Sequence, residues 1–206
     1  MLEQEYHAHS RRKYLMIAAG VVLTLVAAYV FTTLGMKEAE PFQTVDAIAR
    51  YFDGTIAMGA DAAMNKIILL LRLPRVLLAL IAGAGLALAG ALMQSVTRNY
   101  LVSPFTLGIS SAAALGASLC IVLAAGTALD SDLGIIGAAF LLSCACGVIV
   151  YGIAQRSGLS PTTIVLVGIA LNYFFSALTA TLEFFAQEHK LAAVIQWTFG
   201  SLHRAS

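Results

Sequence analysis

The sequence predicts an all-α, polytopic membrane protein with five transmembrane helices. Three observations lead there. The composition is 60% hydrophobic with only 11% charged residues across 206 positions, and mean hydropathy is +0.87. Soluble domains carry about 25% charged residues, and a fold this short could not hide so much apolar surface from water. The apolar residues fall into five runs of about twenty, the length a helix needs to cross a bilayer core about 30 Å thick. Basic residues frame several of these runs, as in Arg72-Leu-Pro-Arg75.

The first run, Tyr14 to Gly35, follows Arg11, Arg12 and Lys13. It is too long for a signal peptide and no A-x-A site closes it, so it is read as an uncleaved span behind a cytoplasmic tail of residues 1–13. Residues 36–73 hold Lys37, Glu38, Glu40, Asp46, Arg50, Asp53, Asp61 and Lys66. They form a solvated extracytoplasmic segment, with short helices expected near Thr44 and Ala62. Spans two to five occupy residues 74–186: Pro74 to Ser95, Phe105 to Gly126, Leu133 to Ala154, and Thr162 to Ala186. Pro74 suits a helix's first turn, where its missing N–H is not needed. Residues 187–206 are too polar and short for a sixth span. They read as an extracytoplasmic amphipathic tail, with Trp197 and Phe199 suited to the headgroup zone.

Orientation follows from Lys and Arg near the span ends. The raw tally does not decide it: a cytoplasmic N-terminus puts five basic residues inside and seven outside. The short loops are more telling. Arg98 and Arg156 lie in loops 96–104 and 155–161, whereas loop 127–132 holds Asp130 and Asp132. Together with the three basic residues before the first span, they place the N-terminus in the cytoplasm.

Small residues let helix backbones approach closely in lipid. Gly83, Ala87, Gly90/Ala91 and Gln94 share a face of the second span, by their spacing. Ser110, Ala114 and Ala117/Ser118 do so in the third, and Gly168, Asn172, Ser176 and Thr179/Ala180 in the fifth. One reading is helix–helix contact. The other is a water-filled path, with Gln94, Asn172, Ser176 and Thr179 facing it. Asn172 is its best candidate, mid-span with Ser176 one turn away.

Catalytic chemistry finds no constellation. There is no Gly-x-Ser-x-Gly, His-Glu-x-x-His or phosphate-binding loop, so any nucleotide is handled by another chain. Cys120, Cys144 and Cys146 lie in apolar runs and are read as packing residues. His7, His9, His189 and His203 lack a second ligand at useful spacing, so neither a metal site nor a cofactor is expected. No basic stripe with interleaved aromatics points to nucleic acid. Glu183 is the only acid near a span.

The block "RLPRVLLALIAGAGLALAGALMQSVTRNYLVSPFTLGISSAAALGAS", residues 72–118, resembles the iron–siderophore, haem and cobalamin permeases of ABC importers. So do "LVGIALN" (166–172) and "WTFGSL" (197–202). The pattern in those permeases is Arg-Leu-Pro-Arg, a Gly/Ala-rich span ending in Gln, Arg-Asn-x-Leu-x-x-Pro, then Leu-Gly-x-Ser-Ser. Tyr100 stands where they usually have proline, and Ser103 where an acid is common.

This resemblance implies an importer of a metal chelate in a bacterial or archaeal cytoplasmic membrane. Its partners would be an ATP-binding cassette subunit, an extracytoplasmic substrate-binding protein and a second permease copy, identical or related, in membrane lipid. Arg72 and Arg75 would dock the binding protein, the alternative being interfacial snorkelling. Asn99, Leu101, Ser160 and Pro161 would form the cytoplasmic gate, although Pro161 replaces a hydroxyl residue of some relatives. Such permeases have about ten spans, so the chain reads as the N-terminal half: a truncated piece, a split gene or a short product. Two other readings stand beside it, half of a secondary transporter and a membrane scaffold that does not transport. The first would want charges or broken helices at mid-span.

Overall fold

The computed structural model describes residues 2–33, 49, 66–124, 126, 127 and 129–202, with side chains from Ser10 onward. The described residues form helices and turns with no strand. The chain divides into two units, Met1–Ile81 with Leu202–Ser206, and Ala82–Ser201.

In the first unit, helix α1 is Leu2–Thr33. It begins twelve residues before the expected Tyr14, so the polar tail is helical too. The expected end at Gly35 lies outside the described residues, as do the helices expected near Thr44 and Ala62. Inside the run, the Thr24 hydroxyl donates to Gly20 O at 2.8 Å and that of Thr33 to Val30 O at 2.9 Å. Lipid offers no partner for a hydroxyl, and these back-bonds supply one.

The second run departs from expectation at its start. A π-helical turn, Ile67–Arg72, feeds directly into helix α2, Leu73–Thr97. Pro74 therefore sits within a longer helical run and does not open it. Leu73 N–H donates to Ile68 O, the wider i→i−5 spacing of a π-turn. A proline inside an α-helix clashes with the carbonyl four residues back and leaves it unbonded. Widening the preceding turn relieves that clash, and so Arg72 and Arg75 are carried on helix.

The second unit builds a bundle around a short central helix. After α2, a 3-10 turn spans Pro104–Leu107 and helix α3 spans Ile109–Leu123. The expected continuous third span, Phe105 to Gly126, is thus broken near its start. Pro104 opens the 3-10 turn and Gly108 closes it at φ 75°, a left-handed conformation that favours glycine. α3 alone is about 22 Å long, and the 3-10 turn adds about 8 Å. Helices α4, Asp132–Arg156, and α5, Pro161–Phe185, follow, and α6, Glu188–Phe199, comes last.

α3 packs against α4, α5 and α6. Leu107, Ala112, Leu115, Cys146, Val150 and Phe175 form the buried core. Outward side chains such as Phe140, Leu141, Val148, Tyr173 and Phe174 are exposed and apolar, the surface lipid requires. Ser131 caps α4, its hydroxyl accepting from Gly134 N–H at 3.1 Å. Among the described residues, four helical runs are long and apolar enough to cross a membrane: Ser10–Thr33, Ile67–Thr97, Asp132–Arg156 and Pro161–Phe185. Ile109–Leu123 is apolar but shorter.

Candidate functional site

Helix α5 carries two cavities, one toward each end. Toward its C-terminal end, α3, α5, α6 and Phe105 line an open cavity of about 570 Å³. Ser110, Ser111, Ser176, Thr179, Glu183, Trp197 and Thr198 supply the polar lining, and Ala113, Ala114 and Ala180 much of the apolar wall. Alanines at these places leave more of the space open than longer side chains would. The volume is that of a small-molecule site.

Toward the N-terminal end of α5, about 220 Å³ lies between Thr97 and Asn99 on one side and Pro161, Thr162, Val165, Leu166 and Ile169 on the other. Pro161 occupies the first turn of α5, where it removes no helical hydrogen bond.

Between the cavities runs a tight seam. A Cβ on Gly168 would lie 2.7 Å from Leu107 Cα, and one on Gly108 2.8 Å from Asn172 N. Only glycines allow this approach of α5 to the 3-10 turn. Asn172 then locks it: its Oδ1 accepts from Ser111 Oγ at 2.8 Å, and its Nδ2 donates to Phe105 O at 3.4 Å. Ser176 Oγ stands 3.4 Å from Asn172 Oδ1 and 3.5 Å from Ser111 Oγ, at the outer limit for bonding.

The residues singled out in the sequence are thus partly brought together. Ser176 and Thr179 both line the larger cavity, but the Thr179 hydroxyl donates to Phe175 O at 3.0 Å. Asn172 lies in the seam beside that cavity. Gln94 is elsewhere, its Nε2 donating to Tyr100 O at 3.2 Å. Asn99 and Pro161 share the smaller cavity; Ser160 and Leu101 are not in its lining. Asn99 Oδ1 instead accepts from Leu101 N–H at 3.0 Å, an Asx turn that leaves the Leu101 side chain exposed. Arg72 and Arg75 are half-buried, and Arg75 Nε is buried without a hydrogen-bond partner.

Sequence reasoning missed Ser111, choosing its neighbour Ser110, and it did not place Trp197 in a cavity wall. α6 packs back on α3. Val194 is fully buried, and Lys190 Nζ donates to Val122 O at 2.7 Å. This turns Trp197 and Thr198 into cavity wall. The long run of small residues in α3 is the signal that another element could approach it.

The arrangement can bind through hydroxyls, one carboxylate and an indole. Among the described residues no group of three or more His, Cys, Asp or Glu could hold a metal ion.

The profile of the FecCD transport family matches residues 21–206. The chain belongs to the FecCD transport family. This FecCD chain is 34% identical to a protein of Methanocaldococcus jannaschii assigned as an ABC transporter permease, over 99% of this chain and 58% of that protein. It is 30% identical to the iron(3+)-hydroxamate import system permease protein FhuG of Bacillus subtilis, over 96% of this chain and 57% of the relative. A solved inward-facing structure assigned to the metal-chelate type of ABC transporter superposes with a TM-score of 0.71 at 29% identity, covering 94% of this chain and 56% of that one. The FecCD chain thus spans a little over half the length of these proteins. With its apolar helices, it is a multi-pass membrane protein.

Proposed function

We propose that this chain is the N-terminal part of the permease subunit of an ABC importer for a metal chelate of the iron–siderophore, haem or cobalamin kind. Family membership over residues 21–206 carries the reading. The relative named for iron(3+)-hydroxamate import favours an iron–siderophore cargo. The cavity at the C-terminal end of α5 is the cargo path, and the Asn99–Pro161 cavity is its cytoplasmic gate. Five spans cross the membrane, the 3-10 turn and α3 together making the third, with the N-terminus in the cytoplasm. ATP is hydrolysed by a separate cassette subunit, a binding protein delivers cargo near Arg72, and a second permease copy completes the pathway.

The supporting geometry is the stacking along α5 of gate, seam and cavity. A cargo moving between the cavities must part the contact of Gly168 and Asn172 with the 3-10 turn. That contact is made of weak interhelical hydrogen bonds, each averaging about 0.6 kcal/mol, so cassette-driven movement of α5 could open it. The test is uptake of a radiolabelled ferric hydroxamate into vesicles holding the full-length gene product, the cassette subunit encoded with it and the binding protein. ATP-dependent uptake that disappears without the cassette subunit is expected. ATP-independent uptake driven by an ion gradient would replace this reading with a secondary transporter.

A further inference from the structure

Among the described residues, Glu183 is the one ionisable side chain lining the larger cavity; every other polar group there is a hydroxyl or the indole of Trp197. Its placement is unfavourable on general grounds. It lies in the last turn of α5, where the helix dipole opposes negative charge. No hydrogen bond or ion pair engages its carboxylate among the described residues. The nearby cation of α6, Lys190, is spent on the Val122 carbonyl. A carboxylate in an apolar span is expensive to keep and is retained where it faces a water-filled path with something to bind.

We propose that Glu183 selects cargo by charge, so that this cavity admits cationic and neutral chelates and disfavours polyanionic ones. This rests on reading the chain as a chelate permease. Glu183 puts one carboxylate on the wall of a partly open cavity, close enough to act on the charge of a bound complex. An anionic complex meets like charge with no basic side chain among the described lining residues to offset it, and repulsion of the wrong partner is an efficient source of specificity. Trp197 lines the same cavity, and an aromatic ring attracts a cation that reaches its face.

The test uses the purified full-length permease and the emission of Trp197, taken as the difference from Trp197→Phe. Three ferric complexes of different charge serve as quenching probes: cationic ferrioxamine B, neutral ferrichrome and anionic ferric dicitrate. In the unmodified protein the cationic complex should bind about tenfold more tightly than the anionic one, the order expected for one charge acting through solvent-screened surroundings. Glu183→Gln should bring the two within about threefold, and Glu183→Asp should keep the order. An unchanged order in Glu183→Gln, tightest binding of ferric dicitrate to the unmodified protein, or no quenching by any probe would overturn the proposal. ATP-driven uptake, measured on the same preparations with the cassette subunit, separates the two readings. A charge order that depends on Glu183 without ATP-driven uptake keeps the selector and removes the ABC permease. ATP-driven uptake without such an order does the reverse.

Discussion

Asn172 is a mid-span amide whose partners come from two different elements, Ser111 on α3 and Phe105 in the 3-10 turn. Its main work in the resting structure is to join them. Asn172→Leu and Ser111→Ala should each lower thermal stability in nanodiscs. Their double-mutant cycle should return a coupling of about 0.6–1.7 kcal/mol, the range of such bonds in membranes. A coupling of zero would make Asn172 a path-lining group only. Gly168 answers to packing instead. Gly168→Val puts a branched side chain where the Leu107 backbone already sits. It should cost about 1–3 kcal/mol, seen as a lower melting temperature and reduced yield of inserted protein. Arg72 and Arg75 differ in role by expectation. Arg72→Glu should weaken docking of the binding protein about tenfold at low salt, and less at moderate salt, while Arg75→Glu acts less. Equal affinity for both variants at both salts would leave Arg72 as an interfacial anchor.

Among the elements, α6 is a short helix held against α3 by a few identifiable side chains. It is twelve residues long, too short to be stable on its own, and is held by Val194 in the core and by Lys190 on the end of α3. The C-terminal carbonyls of a helix lack intrahelical partners, and an ammonium is the best group to satisfy one. Lys190→Met should therefore loosen α6 by about 1.5–3 kcal/mol, the worth of a charge-assisted hydrogen bond. Hydrogen exchange over residues 192–199 should quicken by about tenfold or more, with α4 unchanged. Equal protection in α6 would make Val194 its only anchor. The π-turn before α2 shows the same dependence of an element on one residue, since Pro74 forces the widening that keeps Ile67–Thr97 continuous.

At the scale of the whole molecule, orientation is the open expectation, and its sign decides which cavity is the gate. Two exposed loop positions test it, Leu129 in the Asp-containing loop and Leu101 in the Arg98 loop. In a full-length background with Cys120, Cys144 and Cys146 replaced, Leu129→Cys should react with an impermeant maleimide from outside, and Leu101→Cys only after permeabilisation. The reverse pattern would turn the bundle over and make the Asn99–Pro161 cavity face the outside.

Composition and hydropathy alone determined that the chain is helical and needs lipid, because a bilayer core demands long apolar runs whatever their partners. The span boundaries for α4 and α5 were legible to within a residue or two for the same reason, with Ser131 and Pro161 marking their starts. Local order alone could not reveal the break at Gly108, since an apolar run reads the same whether or not a left-handed residue interrupts it. Nor could it choose Ser111 over Ser110, which differ only in the face they present to α5. The cavity was the least legible feature. Trp197 and Glu183 come from separate helices, and they share a wall only because α6 folds back onto the small residues of α3. That return is settled by long-range packing, in which Val194 is buried against the bundle and Lys190 reaches the end of α3, contacts that no local pattern of residues specifies.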